Sequence, residues 1–414
     1  MKTTRTLATL AVAALLGSGA AAQDQLSGDL KIFLDTSNPA PRATMEELIG
    51  DFQALHPELN IETTIIDREA YKTQIRNFLT ANAPDVATWY AGNRMLPYVE
   101  PGLFEDVSDL WEGELSEKLA STKAAMTIDG KQWGVPYSYY QWGVYYRLDI
   151  YEELGLEEPT DWESFKANCQ AILDSGRKCF TIGTKFLWTA AGWFDYLNLR
   201  QNGYEFHMDL TAGKVEWTDQ RVVDTFGRWR ELIDMGAYVD NHTSYSWQEA
   251  LPFMVQGDAA AYLMGNFAVA PLKDGGLTNA QLDFHQFPEI TPGIPMAEDA
   301  PTDTFHIPAN AENKENARAF LRFVVEAQNQ SMINAQLGQL PVNRDSSVNP
   351  DDKFVVEGFA MLNDAYALAQ FFDRDAPAEM AKLAMEGFQE FMVKPDNLDR
   401  ILARLERARG RIYR

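Results

Sequence analysis

The chain has 414 residues, 46% of them hydrophobic, with 60 acidic against 36 basic side chains and a formal charge of −24. That balance disfavours nucleic acid and anionic membranes as partners, since both are held by basic patches; it leaves a neutral ligand open. Two cysteines and five histidines without paired spacing give no local zinc signature, and no phosphate loop, dinucleotide fingerprint or Gly-x-Ser-x-Gly elbow is present.

At the N-terminus, Lys2 and Arg5 precede the apolar run Leu7 to Leu16, and small residues ending in Ala20-Ala21-Ala22 come before Gln23, the pattern of a secretory signal. The run is too short for a bilayer, which needs roughly 20 apolar residues. With no cysteine at the cleavage point to carry a lipid, the expectation is a soluble chain exported to a periplasm, release to the medium being the alternative. Removing 22 residues leaves 392 and, with Lys2 and Arg5 gone, a charge of −26. At about 100 to 200 residues per domain this predicts two or three domains, two lobes being the natural reading.

The first lobe reads as a strand at Leu30 to Leu34, a helix burying Met45, Leu48, Ile49, Phe52 and Leu55, and a strand at Ile61 to Ile66. A helix from Asp67 with Tyr71, Ile75, Phe78 and Leu79 on one face follows, then a strand from Asp85 to Trp89. This β-α-β-α-β order predicts a parallel sheet. Ligands of such sheets sit beyond the carboxyl ends of the strands. Here those exits are Asp35-Thr36-Ser37-Asn38 and Trp89-Tyr90-Ala91-Gly92-Asn93-Arg94. Both are rich in hydrogen-bonding groups, and solvated turns are the competing reading.

The run Gly134 to Arg147 holds many aromatic residues and no acid. Its glycines, Pro136 and β-formers predict extended chain. Rings stack on the apolar faces of a sugar while Gln141 and tyrosine hydroxyls bond its rim, so the run suits a ligand cleft between lobes; a buried strand packing its rings into a core is the alternative. A helix signal follows from Asp149 to Leu154. Next comes a capping-box spacing at Thr160 to Glu163, a helix with Trp162, Phe165, Cys169, Ile172 and Leu173 on one face, and a short strand opening at Cys179. Cys169 and Cys179, ten positions apart in an oxidising compartment, predict a disulfide. In the second aromatic cluster, Phe186 to Tyr196, Trp193, Tyr196 and Leu197 repeat at helical spacing, whereas Trp188 precedes the helix and is freer to face a ligand. A helix from Trp247 to Gly257 leads into a strand at Ala259 to Leu263. Near the end, Asp373-Arg374-Asp375 offers hydroxyl-bonding groups or an ordinary ion pair, and two helices close the chain, the last with Leu398, Ile401, Leu402 and Leu405 on one face.

Taken in order, Pro84-Asp85-Val86 with Trp89, Gly134-Val135-Pro136-Tyr137 with Tyr145-Tyr146, Gln256 to Phe267, and Gly338-Gln339-Leu340-Pro341-Val342 resemble the extracellular solute-binding proteins of carbohydrate ABC transporters. The resemblance spans nearly the whole mature chain. It implies an α/β fold of two lobes, the periplasmic-binding-protein arrangement, with a sugar cleft between them and hinge crossings near Tyr137, Leu263 and Leu340. The implied division is a signal at 1–22, lobe 1 at 23–137 and 263–339, and lobe 2 at 138–262 and 340–414 with the C-terminal helices. Carried over by position, the ligand contacts would be Ser37, Asn38, Trp89, Tyr90, Asn93, Tyr140, Trp142, Trp188, Asn266 and Phe267, with Arg374 added from the acidic-basic cluster. Departures from the family are Thr36-Ser37-Asn38-Pro39 where an aromatic is common, Phe267 where Trp is frequent, and Tyr146-Arg147 for Tyr-Asn. They make Arg147 or Arg94 candidates for an anionic substituent on the ligand, with surface ion pairing as the alternative.

The expected function is therefore a monomeric periplasmic component that binds a sugar or related polyol and delivers it to ABC permease subunits, without catalysis, cofactor or metal. A periplasmic glycoside hydrolase, its two carboxylates converging from distant segments, and a chemosensory binding protein are the competing readings.

Overall fold

Alternation of buried Leu30, Ile32 and Leu34 with less buried Lys31 and Phe33 builds the first strand, one face of which meets a helix and the other a half-covered surface. The computed structural model describes residues 26–36 and 39–413; the predicted signal and the expected contacts Ser37 and Asn38 lie outside the described residues. Strand β1 (Gly28–Leu34), helix α1 (Pro39–Leu55), β2 (Leu59–Ile65), α2 (Arg68–Ala81) and β3 (Val86–Tyr90) follow in order, and β1 pairs in parallel with both β2 and β3. Helix α2 starts where Asp67 accepts the amides of Glu69 and Ala70, and it turns Tyr71, Ile75 and Leu79 into the core.

Strand β4 (Val135–Tyr139) closes this first sheet and β5 (Trp142–Arg147) opens the second, so the chain passes between lobes at Tyr140 and Gln141. Helix α3 (Trp162–Asp174) is capped by Asp161, whose carboxylate accepts the Ser164 amide while the Ser164 hydroxyl receives the Asp161 amide. The capping box thus sits one residue later than the Thr160 spacing suggested. Strand β6 (Lys178–Phe180) follows, and a disulfide joins Cys169 on α3 to Cys179. Helix α4 (Trp188–Asn202) is buried on every side over most of its length, which explains why its apolar residues show little one-sided pattern. Strands β7 (Ala259–Gly265) and β8 (Leu282–His285) complete a second sheet in the order β8-β5-β7-β6.

The return crossing is displaced from the expected one. Leu263 lies within β7, hydrogen-bonded to β5 of the second sheet, and β8 also stays there. The chain goes back through the short β9 (Glu298–Asp299) into β10 (Thr302–His306), which enters the first sheet between β3 and β4 and gives the order β2-β1-β3-β10-β4. The crossing expected near Leu263 fails because β7 and β8 both pair with β5, so the chain stays on the second sheet past that point. A third passage starts at Leu340, whose backbone exchanges hydrogen bonds of 3.0 and 3.3 Å with Tyr139. It continues through β11 (Leu368–Ala369), which runs parallel to β9, and the short helix α5 (Phe372–Asp375). Helices α6 (Ala378–Val393) and α7 (Leu398–Ile412) then pack on the second lobe, burying Ile401, Leu402 and Leu405. Two separate hydrophobic cores result, one under each sheet.

Candidate functional site

Between the sheets lies a cavity of about 470 Å³, part of it open to solvent, whose two walls differ in chemistry. The first lobe supplies Tyr90 from the end of β3 and Arg68 and Lys72 from the first turns of α2, four residues apart and hence on one face. The second lobe supplies rings: Trp142, Trp188, Trp247, Phe267 and Phe371, with Tyr140 from the crossing between them. A second compartment of about 610 Å³, lined by Thr36, Tyr137, Asp303, Gln336 and Gln339 among others, shares Arg68, Trp247 and Phe267 with the first.

The aromatic wall is locked by its own packing. Trp142 and Phe371 stand 4.7 Å apart between ring centroids, Trp247 and Phe267 5.1 Å, and Tyr140 and Phe267 5.2 Å, the last two edge to face. Gly192 on α4 makes room for this: a Cβ there would lie 2.7 Å from Cζ3 of Trp142 and 3.3 Å from Cε2 of Phe371. Phe371 holds its ring with φ of +115° and Leu187, just before Trp188, has φ of +70°. Each strained backbone costs of the order of 1–3 kcal/mol and is typical of positions that aim a functional side chain.

The polar side is a lattice of ion pairs. Arg374 donates from Nη1 to the Thr302 carbonyl at 2.7 Å and from Nη2 to the Tyr140 hydroxyl at 3.1 Å and Asp303 at 3.0 Å, while its guanidinium lies 4.6 Å from the Tyr90 ring centroid. Arg94 donates to Asp373 at 2.8 Å, and the Tyr90 hydroxyl donates to Asp35 at 3.0 Å. Lys72 sits 5.7 Å from the Tyr90 ring and, across the cleft, 5.8 Å from that of Trp188. Burial first, then the nearby Arg94 and Arg68, lowers the Lys72 pKa against the opposing pull of Glu69. The indole N–H of Trp142 and the Thr36 hydroxyl are buried and have no hydrogen-bond partner among the described residues.

Of the expected contacts, Tyr90, Tyr140, Trp142, Trp188, Phe267 and Arg374 come together around the cavity. Trp89 does not: successive strand residues face opposite ways, so with Tyr90 toward the cleft Trp89 turns into the lobe 1 core, edge to face with Tyr98 and bonded from Nε1 to the Arg94 carbonyl. Asn93 donates to the Asp375 carbonyl, and Asn266 to the Gly338 carbonyl, so both serve as ties between segments. Arg147 lies away from the cleft, bidentate to Asp149 at 2.8 and 2.7 Å and bonded to the Met254 carbonyl. Sequence reasoning missed Arg68, Lys72, Trp247 and Phe371. The first two were within reach of the rule about strand exits, since they follow directly on β2.

Behind the aromatic wall, where β9 passes α4, Asp195 and Asp299 are fully buried. Both oxygens of Asp299 and one of Asp195 lack hydrogen-bond partners among the described residues, while the other Asp195 oxygen accepts the Phe372 amide at 2.8 Å. Burial, and next the neighbouring carboxyls, push both acids well above the usual carboxylate range; burial pushes Asp375 up to about 6. His207, 3.7 Å from Asp195, is pushed down to about 3 by burial.

A family model described as bacterial extracellular solute-binding protein matches residues 36–331, more than half the chain. The chain belongs to this family. The solute-binding protein is 21% identical over 335 residues to an uncharacterized ABC transporter extracellular-binding protein of Pyrococcus horikoshii, covering 78% of this chain and 74% of that one. It is 20% identical over 292 residues to the multiple sugar-binding protein of Streptococcus mutans, covering 69% and 68%. Among solved structures it is similar to the bacterial solute receptor AcbH, described as preferring β-D-galactopyranose, with TM-score 0.86, 25% identity and coverage of 94% and 100%. No helix among the described residues is long and apolar enough to cross a membrane.

Proposed function

We propose that this solute-binding protein is the substrate-binding component of an ABC importer, that it takes a sugar in the cleft between its lobes, and that it delivers it to the permease from the periplasm. The observation that carries this reading is the ring-walled cavity facing a lattice of charged hydrogen-bonding groups. Rings cover the C–H faces of a pyranose, and planar carboxylate and guanidinium groups bond its hydroxyls. The galactopyranose preference described for AcbH and the name of the Streptococcus mutans relative, a multiple sugar-binding protein, support the same class. The signal at Lys2 to Ala22 supports export.

The protein acts by binding, without chemistry on the sugar. Three passages between the lobes allow bending and resist sliding, so closure brings the second wall onto a ligand already held by the first. A thermal-shift panel of monosaccharides and oligosaccharides tests this, since a ligand at 100 times its Kd adds about 2.7 kcal/mol of stability. Sugar should be recovered unaltered after long incubation; a cleaved product would move the protein to the hydrolases.

A further inference from the structure

In a chain with 60 acidic and 36 basic side chains, the ring-walled cavity reverses the balance, with Arg68, Lys72 and Arg374 against Asp373. Among the described residues, three of these four have a hydrogen-bond partner, and only Arg374 has several. Arg374 is bonded to Thr302, Tyr140 and Asp303, and Asp373 receives Arg94 at 2.8 Å. Arg68 is different. Among the described residues its guanidinium comes no closer to a carboxylate oxygen than 3.5 Å at Asp35 and 4.0 Å at Asp303, so its charge is balanced while its N–H groups are not aligned with short acceptors. Lys72 bonds Glu69 at 3.0 Å, which leaves two of its three N–H donors. The buried indole N–H of Trp142, whose ring lines the same cavity, also lacks a partner among the described residues.

The unfilled capacity is thus weighted toward donors. A sugar hydroxyl brings its own donor and needs an acceptor for it, whereas a carboxylate is acceptor-only with about four lone-pair sites. A guanidinium and an ammonium one helical turn apart on α2 present such donors together, and charge-assisted bonds of this kind are about twice as strong as neutral ones. An anion at this place would, by its charge, oppose the lowering of the Lys72 pKa that burial and the nearby Arg94 and Arg68 produce.

We infer that the sugar taken by this cleft carries a carboxylate, as a uronic acid does, and that Arg68 and Lys72 receive that group. The inference rests on the sugar-binding reading above and narrows it to an acidic saccharide. Neither arginine that the sequence suggested for an anion is available for this, Arg147 being bound to Asp149 and Arg94 to Asp373.

Titration calorimetry at constant ionic strength tests it with D-glucuronate and D-galacturonate beside D-glucose and D-galactose, and with their disaccharides, on wild type, Arg68→Gln, Lys72→Gln and Arg68→Lys. At least one uronate should bind about tenfold or more tighter than its neutral counterpart. Arg68→Gln and Lys72→Gln should each remove most of that preference while changing neutral-sugar affinity less than about threefold, and Arg68→Lys should keep part of it. The preference should shrink as salt is raised. Neutral sugars binding as well as or better than the uronates, or variants that weaken both classes equally, would overturn the acidic-saccharide inference and leave the sugar-binding reading intact. Absence of binding by every saccharide, in protein whose unfolding remains cooperative, would overturn both.

Discussion

The two walls of the cleft solve different problems. The second lobe's wall is built of rings that pack on one another and on Gly192, so it is complete without a ligand. The facing wall is built of charges whose geometry is only partly satisfied, Arg374 and Asp373 on the third passage being engaged and Arg68 and Lys72 of the first lobe less so. Shape is therefore fixed from one side. Hydrogen-bonding demand is left open on the other, and a ligand that meets it gains most there, because open polar groups lose water on closure and need a replacement.

Removing the centre of the aromatic wall should have the largest effect. Trp142→Ala leaves a cavity against Gly192 and Phe371, so stability should fall by about 3–5 kcal/mol and ligand affinity should fall with it. Trp89→Ala serves as the contrast. It should lower stability on a similar scale, measured by chemical denaturation, yet leave calorimetric affinity within about threefold, because Trp89 faces the lobe 1 core. Loss of affinity in both variants alike would dissolve the distinction between wall and core.

Reduction of the Cys169–Cys179 bridge comes next. Its short loop predicts a loss of about 2–3 kcal/mol in stability, and since neither cysteine lines the cavity, ligand affinity should be unchanged. Trp188→Ala reverses that pattern: half-buried Trp188 should give up on the order of 1–3 kcal/mol of binding and little stability.

The smallest effect concerns the acids behind the aromatic wall. Asp299 keeps its proton in the folded state to a pH well above the value at which the unfolded chain releases it. The folded state thus binds more protons than the unfolded one, and the contribution of Asp299 to stability declines as pH rises from about 4 through its folded pKa. Asp299→Asn has no such slope, so its melting temperature relative to wild type should climb with pH across that window. A difference independent of pH would mean that Asp299 is ionised in the folded protein.

The elements of both lobes are legible in the sequence because each has a one-sided apolar pattern and a stop: α2 begins at Asp67 as expected, and β3 ends near Trp89. What strand alternation does not reveal is which of Trp89 and Tyr90 turns inward, since both are large and either satisfies a core. Arg68 and Lys72 follow the exit of β2, where the strand-exit rule places a ligand, but the apolar face of α2 draws the sequence reading to its core side and leaves these two unassigned. Phe371 has no local signal at all, its aim depending on a backbone angle set by contacts with Trp142 and Asp195's hold on the Phe372 amide. The return crossing was misplaced because β7 and then β8 both pair with β5, a long-range constraint that keeps the chain on the second sheet until β9 and β10.

The cavity is assembled from residues scattered between Arg68 and Arg374. A chain that emerges N-terminus first shows Arg68 and Lys72 early and its rings piecemeal, and the guanidinium that ties Tyr140 to Asp303 arrives almost last. A prefix that ends before Arg374 lacks part of this lining, so the cavity is complete only once translation is nearly finished.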